Sequence, residues 1–271
     1  MARASRRQLV TIAAMRSLTG NASSAARFLN RALICQVRVG FTESASFNPL
    51  VTCAFRSFRS AYPEVEVSLE EHPSTELAVA LREGRIDAAF LRPPLKTEEG
   101  ITLHLLEEED MVVAVPNGHP LEKRKVIDLR ELEMETFILY PRSVRPGLAD
   151  AVVAACEKAG FTPRVEQYAP QLSATINLVA ASLGISIVPR SMQGLQPHAL
   201  AYLPLRGRPV LAQLGIAHRT SEESPAVLKF IELVRNTSAP QRAGTSRRPV
   251  SKAKGVATVL SAPNRKSVPP R

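Results

Sequence analysis

The stretch VRVGFTESASFNPLVTCAFRSFRSAYPEVEVSLEE, residues 37–71, decides the fold. VRVGF (37–41) alternates as a half-buried strand does. Asn48-Pro49 then supplies an N-cap and a first-turn proline, which starts a helix. Leu50, Ala54, Phe55, Phe58 and Tyr62 share one face of that helix, and Pro63 stops it. VEVSLEE (65–71) alternates again. A strand, a helix and a strand this close together pack as a parallel unit with the helix on one face of the sheet.

Working outward, Ser74 is expected to cap STELAVALREG, whose stripe of Leu77, Ala80 and Leu81 ends at Gly84. IDAAFL (86–91) is a third strand. After Gly100 the pattern restarts as two strands, ITLHLLEE and MVVAVP, then a polar excursion through GHPLEKRK and the strand FILYP (137–141). Pro146 opens a helix through ADAVVAACEKAG, followed by RVEQY (164–168), a helix near 173–183, ISIVP and ALAYLPL (199–205). VLAQLGIAH (210–218) and SPAVLKFIELVRN (224–236) add one more strand and helix, which return to the first unit. The fold class is α/β: two Rossmann-like lobes around a central cleft, lobe I at about 37–106 plus 210–236 and lobe II at about 107–209. Open α/β sheets bind ligands at the carboxyl ends of their strands.

The formal charge of +10 suggests a nucleic-acid partner until it is placed along the chain. Residues 1–36 hold six Arg and no acid, and residues 237–271 hold eight Lys or Arg and no acid. Setting those fourteen aside leaves 21 basic against 25 acidic residues, so the body is near −4. Two basic segments, the second read as a disordered tail, flank a mildly acidic body without the clustered cations that phosphate binding needs. The longest apolar runs, such as VVAVP (112–116) and ISIVP (185–189), cannot span a bilayer. Three widely spaced cysteines and the absence of a convincing signal peptide give a cytoplasmic reading with reduced thiols.

Catalytic handles are missing. No Gly-x-Gly pair and no Gly-x-Ser-x-Gly elbow occurs, and the five histidines are isolated, so neither a cofactor nor a metal is expected. The acid run Glu107–Asp110 reads as a solvated face, and Cys53 and Cys156 as buried, inert thiols. No nucleophile, base and orienting group stand together, which argues against an enzyme. What remains are three strand-to-helix turns. Thr42 to Ser46 fills the first, with free helix N–H groups that favour an anion. Ser74 and Thr75 fill the second, and Tyr140 to Pro146 the third, with Arg142 and Arg145 able to hold a carboxylate. Such a cleft suits a small organic acid. Glu43 fits poorly, because a carboxylate in the first turn opposes an anion unless it points away.

At these residues the chain resembles the effector-binding domain of LysR-type transcriptional regulators. The matching stretches are VRVGFTESAS, FRSFRSAYPEVEVSLEE, LREGRIDAAF, VVAVPNGHPL, FILYPRSVRPGL, EKAGFTPRVEQYA and LVAASLGISIVPRSM, in family order. The resemblance implies a periplasmic-binding-protein-like fold that closes on an inducer, often an aromatic or dicarboxylic acid, to regulate transcription. It places effector contacts at Ser44, Ala45, Ser74, Arg142, Pro146 and Leu148; the reading of the turns adds Thr75 and Arg145. It also implies a homo-oligomer, a dimer or a tetramer. Residues 1–36 show no helix-turn-helix pattern, and SLTGNASSAARFLNRAL (17–33) is similar at most to the family's linker helix. DNA contact therefore requires a helix-turn-helix supplied elsewhere. The alternative is a stand-alone binding protein, or a truncated regulator that acts through mixed oligomers.

Overall fold

A computed structural model of the chain describes residues 36–95, 99–142 and 146–238. The segments expected to be a linker-helix remnant and a basic tail lie outside those residues, apart from their inner ends.

The first strand, β1 (Gln36–Phe41), pairs in parallel with β2 (Glu66–Glu71) on one side and β3 (Ala88–Leu91) on the other. Between them come a short helix α1 (Glu43–Ser46), α2 (Pro49–Ala61) and α3 (Ser74–Arg82). Asn48 caps α2 as expected, its side chain accepting from the Leu50 N–H at 2.8 Å. Ser74 does not cap α3. Pro73 occupies that position, and Ser74 is the first helical residue. Gly40 lets α3 lie close on the sheet, since a Cβ there would stand 2.4 Å from Leu77 Cδ2.

The two strands expected at 101–116 are one, β4 (Ile101–Pro116). Its first part pairs antiparallel with β9 (Leu211–Arg219), which also pairs with β3. From Met111 onward it pairs instead with β7 (Ser186–Pro189) and β8 (Leu200–Pro204). A register shift between Leu105 and Glu107 re-aims the side chains within the part of β4 that pairs with β9, ahead of the change of partner at Met111. The Met111 N–H donates to the Val210 carbonyl at 3.3 Å, so both chain crossings run side by side.

In the second lobe β5 (Thr136–Leu139) and β6 (Arg164–Tyr168) pair in parallel as a two-stranded sheet, and a bridge from Phe137 to Ile185 ties them to the residue just before β7. Helices α4 (Pro146–Lys158) and α5 (Leu172–Ala180) belong to this lobe, and α6 (Pro225–Ser238) returns to the first. The result is a two-lobed α/β protein.

Each lobe has its own core. In the first, Phe58, Phe90 and Phe230 are fully buried, with the Phe58–Phe230 and Phe90–Phe230 rings edge to face at 5.0 and 6.1 Å. Each such pair contributes about 0.5 to 1.5 kcal/mol beyond burial alone. In the second, Phe137, Ile138, Val152, Ile176 and Ile187 are buried together. The polar excursion after β4 belongs to that core, because Leu121, Ile127, Leu129 and Leu132 turn inward beneath its charged residues.

Candidate functional site

The carboxyl ends of β1 and β3 are held together where the Thr42 N–H donates to the Phe90 carbonyl at 3.1 Å. Four successive residues, Thr42, Glu43, Ser44 and Ala45, are buried there. Immediately after β3, Arg92 is also buried and fans its guanidinium across this end of the lobe. Its Nε donates to Ser44 Oγ at 2.7 Å, Nη2 to Glu109 Oε2 at 2.9 Å, and Nη1 to the Ala212 carbonyl at 3.2 Å. The other Glu109 oxygen accepts from the Ser191 N–H of the second lobe at 2.5 Å. Asn48 donates to Glu107 and, at 3.4 Å, to Glu109. A buried pair of this kind gains little net stability, but removing one partner costs about 3 to 5 kcal/mol because the other charge is stranded. The acid run is therefore only partly a solvated face: Glu108 is exposed and Asp110 pairs with Arg208 at the surface, but Glu109, its side chain 9% exposed, is a cross-lobe partner.

Three helix starts converge on this end of the first lobe. Ser74, opening α3, accepts from the Arg92 N–H at 3.2 Å. Gly147, in the first turn of α4, faces the Pro93 carbonyl so closely that a Cβ would stand 2.4 Å from it. At the start of α5, the N–H groups of Leu172 and Ser173 donate to the two Glu43 oxygens at 2.8 and 2.9 Å. Glu43 does point away from its own helix, and it caps a helix of the other lobe.

Of the expected contacts, Ser44, Ala45 and Ser74 come together, and Thr75 is half-buried beside Ser74. Ser44 lies in a helix rather than a loop, and its hydroxyl is already engaged by Arg92. Arg142 is 73% exposed and pairs with Asp150 at 2.5 Å. Leu148 is buried in the second lobe's core. Arg145 and the Pro146 side chain lie outside the described residues. The sequence reading missed Arg92 and Glu109; the available signal was an arginine directly after the wholly apolar strand AAFL.

Other chemistry-bearing groups lie apart from this site. Cys156 is buried, and burial with the nearby Glu157 pushes its thiol up to about 11. Cys53, expected to be buried, is exposed on α2. His104 and His218 meet across β4 and β9, Nε2 to Nε2 at 3.3 Å. Burial, then Arg235 and then His218, hold His104 below the usual imidazole range. Among the described residues no group of three or more His, Cys, Asp or Glu could hold a metal ion, and no helix is long and apolar enough to cross a membrane.

Residues 34–239 match the family model described as the LysR substrate binding domain. The chain is 34% identical over 205 residues to the HTH-type transcriptional regulator BenM of Acinetobacter baylyi, covering 75% of this chain and 67% of that one. It is 30% identical over 208 residues to the HTH-type regulator BudR of Raoultella terrigena, covering 77% and 70%. Among solved structures it is similar to the BenM effector-binding domain with its effector benzoate, with a TM-score of 0.67, 33% identity, and coverage of 74% of this chain and 90% of that one.

Proposed function

The chain belongs to the LysR family of transcriptional regulators through its substrate-binding domain, and from that premise we propose that a small organic acid binds where the three helix starts meet the carboxyl ends of β1 and β3. The protein is an effector-sensing regulator and not an enzyme. The observation that carries the proposed site is the convergence itself. Backbone N–H groups at helix starts favour an anion, and a group seated between lobes couples binding to their separation. The Arg92–Glu109–Ser191 chain is the element that transmits the change, because it joins the floor of the site to both lobes.

Ser44, Ala45, Ser74 and Thr75 are proposed to contact the effector from the first lobe, and Arg142, Arg145, Pro146 and Leu148 from the second. Lobe boundaries near 106 and 210 fit this assignment, because the chain crosses between sheets close to both. An aromatic acid is the proposed class, in line with the benzoate named for the similar BenM domain. Action in the cytoplasm as a homo-oligomer, on DNA where a helix-turn-helix is supplied elsewhere, completes the proposal.

Thermal unfolding of the full chain against aromatic, dicarboxylic and amino acids tests the site's chemistry. A ligand at 100 times its dissociation constant adds about 2.7 kcal/mol to stability. The expected result is a clear upward shift with aromatic acids. A cooperative melt that no acid moves would reject the acid-sensor reading.

A further inference from the structure

Glu43 is almost fully buried, 7% exposed, and both of its carboxylate oxygens are spent on the other lobe. The donors it takes, the N–H groups of Leu172 and Ser173, open α5, a nine-residue helix packed into the second lobe's core. Those groups would otherwise be the second lobe's offer to an acid in the cleft. The occupant is thus already present, covalently part of the chain, and anchored by the two residues that follow it. Ala45 is fully buried, and Ser44 is held by Arg92.

We infer that Glu43 is the specificity-determining residue of the cleft: its carboxylate fills the acid position at the start of α5, so the site accepts an effector with one acid group and refuses one with a second acid group at the opposite end. This deepens the acid-sensor reading and rests on it. Two effects act together. The donors of Leu172 and Ser173 are no longer free for a second carboxylate, and the buried negative charge of Glu43 repels one brought alongside it. The same contact bridges the lobes, so it also supplies part of the closure that a second acid group would otherwise supply.

The test is calorimetric titration of the full chain, wild type and variants, with benzoate and with terephthalate, which carries a second carboxylate at the far end of the same ring. Wild type should bind benzoate at least tenfold more tightly than terephthalate. Glu43→Ala, which frees both donors and removes the charge, should reverse that preference or erase it. Glu43→Gln, which keeps the size of the side chain and should fold even where the alanine variant does not, should move the ratio the same way by a smaller factor. Wild type that binds terephthalate as tightly as benzoate, or a ratio that neither variant moves, would overturn the inference while leaving the acid-sensor reading intact. Binding of neither acid to any of the three chains would overturn the aromatic-acid reading, and the inference with it.

Discussion

At the amino end of β3, Asp87 is fully buried and accepts from the Arg38 backbone N–H at 2.9 Å, from Arg38 Nη2 at 2.8 Å and from Arg219 Nη2 at 3.3 Å. At the carboxyl end of the same strand, Arg92 is buried among Ser44, Glu109 and two β9 carbonyls. The chemistry is alike, a desolvated carboxylate and guanidinium with their remaining valences met by backbone. The wiring differs. Arg38 and Arg219 finish on carbonyls of the same lobe, Gly84, Leu81 and Ile86. The Arg92 network leaves its lobe through Glu109 to the Ser191 N–H. One network fixes a scaffold, and the other fixes the distance between two scaffolds. Under the proposed effector-sensing role, only the second is placed to report on a ligand between the lobes.

That contrast can be broken most forcefully at Asp87. Asp87→Ala removes the acidic partner of Arg38, while Arg219 keeps Glu222, and is expected to cost about 3 to 5 kcal/mol in chemical denaturation, with benzoate affinity of the folded protein unchanged. Arg92→Ala should cost about as much, since it strands Glu109, and should also weaken benzoate binding roughly tenfold or more, near 1.4 kcal/mol. Equal effects of the two variants on binding would erase the distinction. Gly147→Ala places a Cβ against the Pro93 carbonyl, so α4 must retreat from the first lobe. Overpacking of this kind costs about 1 to 3 kcal/mol. The contrast predicts that the strain appears as weaker benzoate binding more than as a lower midpoint of unfolding.

The smallest expected effect concerns pH and lies away from both networks. His104 has a folded pKa below its unfolded value near 6.5, so the unfolded chain takes up the proton first. Its stabilising contribution is full above that value and is lost as the pH falls through it. Thermal melts should drop from pH 7 to pH 5, and His104→Gln should flatten the slope. A His104→Gln slope equal to that of wild type would show that other groups set it.

Much of this architecture was legible because it is periodic. The face of Leu50, Ala54, Phe55 and Phe58, the Asn48 cap and the alternation of VRVGF are local patterns, and local hydrogen bonds and packing enforce them. The failures are equally physical. Glu107–Asp110 breaks the hydrophobic pattern, yet β4 runs through it because β9 and Arg92 supply partners from distant parts of the chain. Cys53 looks apolar in PLVTCAF, but the buried positions are Val51, Ala54 and Phe58, and it falls between them. In the candidate site, turns rich in hydroxyls drew attention to the carboxyl ends of the strands without showing which hydroxyls were already bonded. Ser44 is committed to Arg92, Arg142 turns to Asp150, and Leu148 belongs to the core. Glu43 looked unfavourable for anion binding as long as its own helix was the only one in view.

A benzoate titration by calorimetry of three chains, wild type, Asp87→Ala and Arg92→Ala, at a temperature where all remain folded, tests the role of the Arg92 network most directly. Binding to wild type, equal binding to the Asp87 variant and clearly weaker binding to the Arg92 variant are expected. Loss of binding in the Asp87 variant with retention in the Arg92 variant would contradict that role, since the ligand would then be read at the other end of β3.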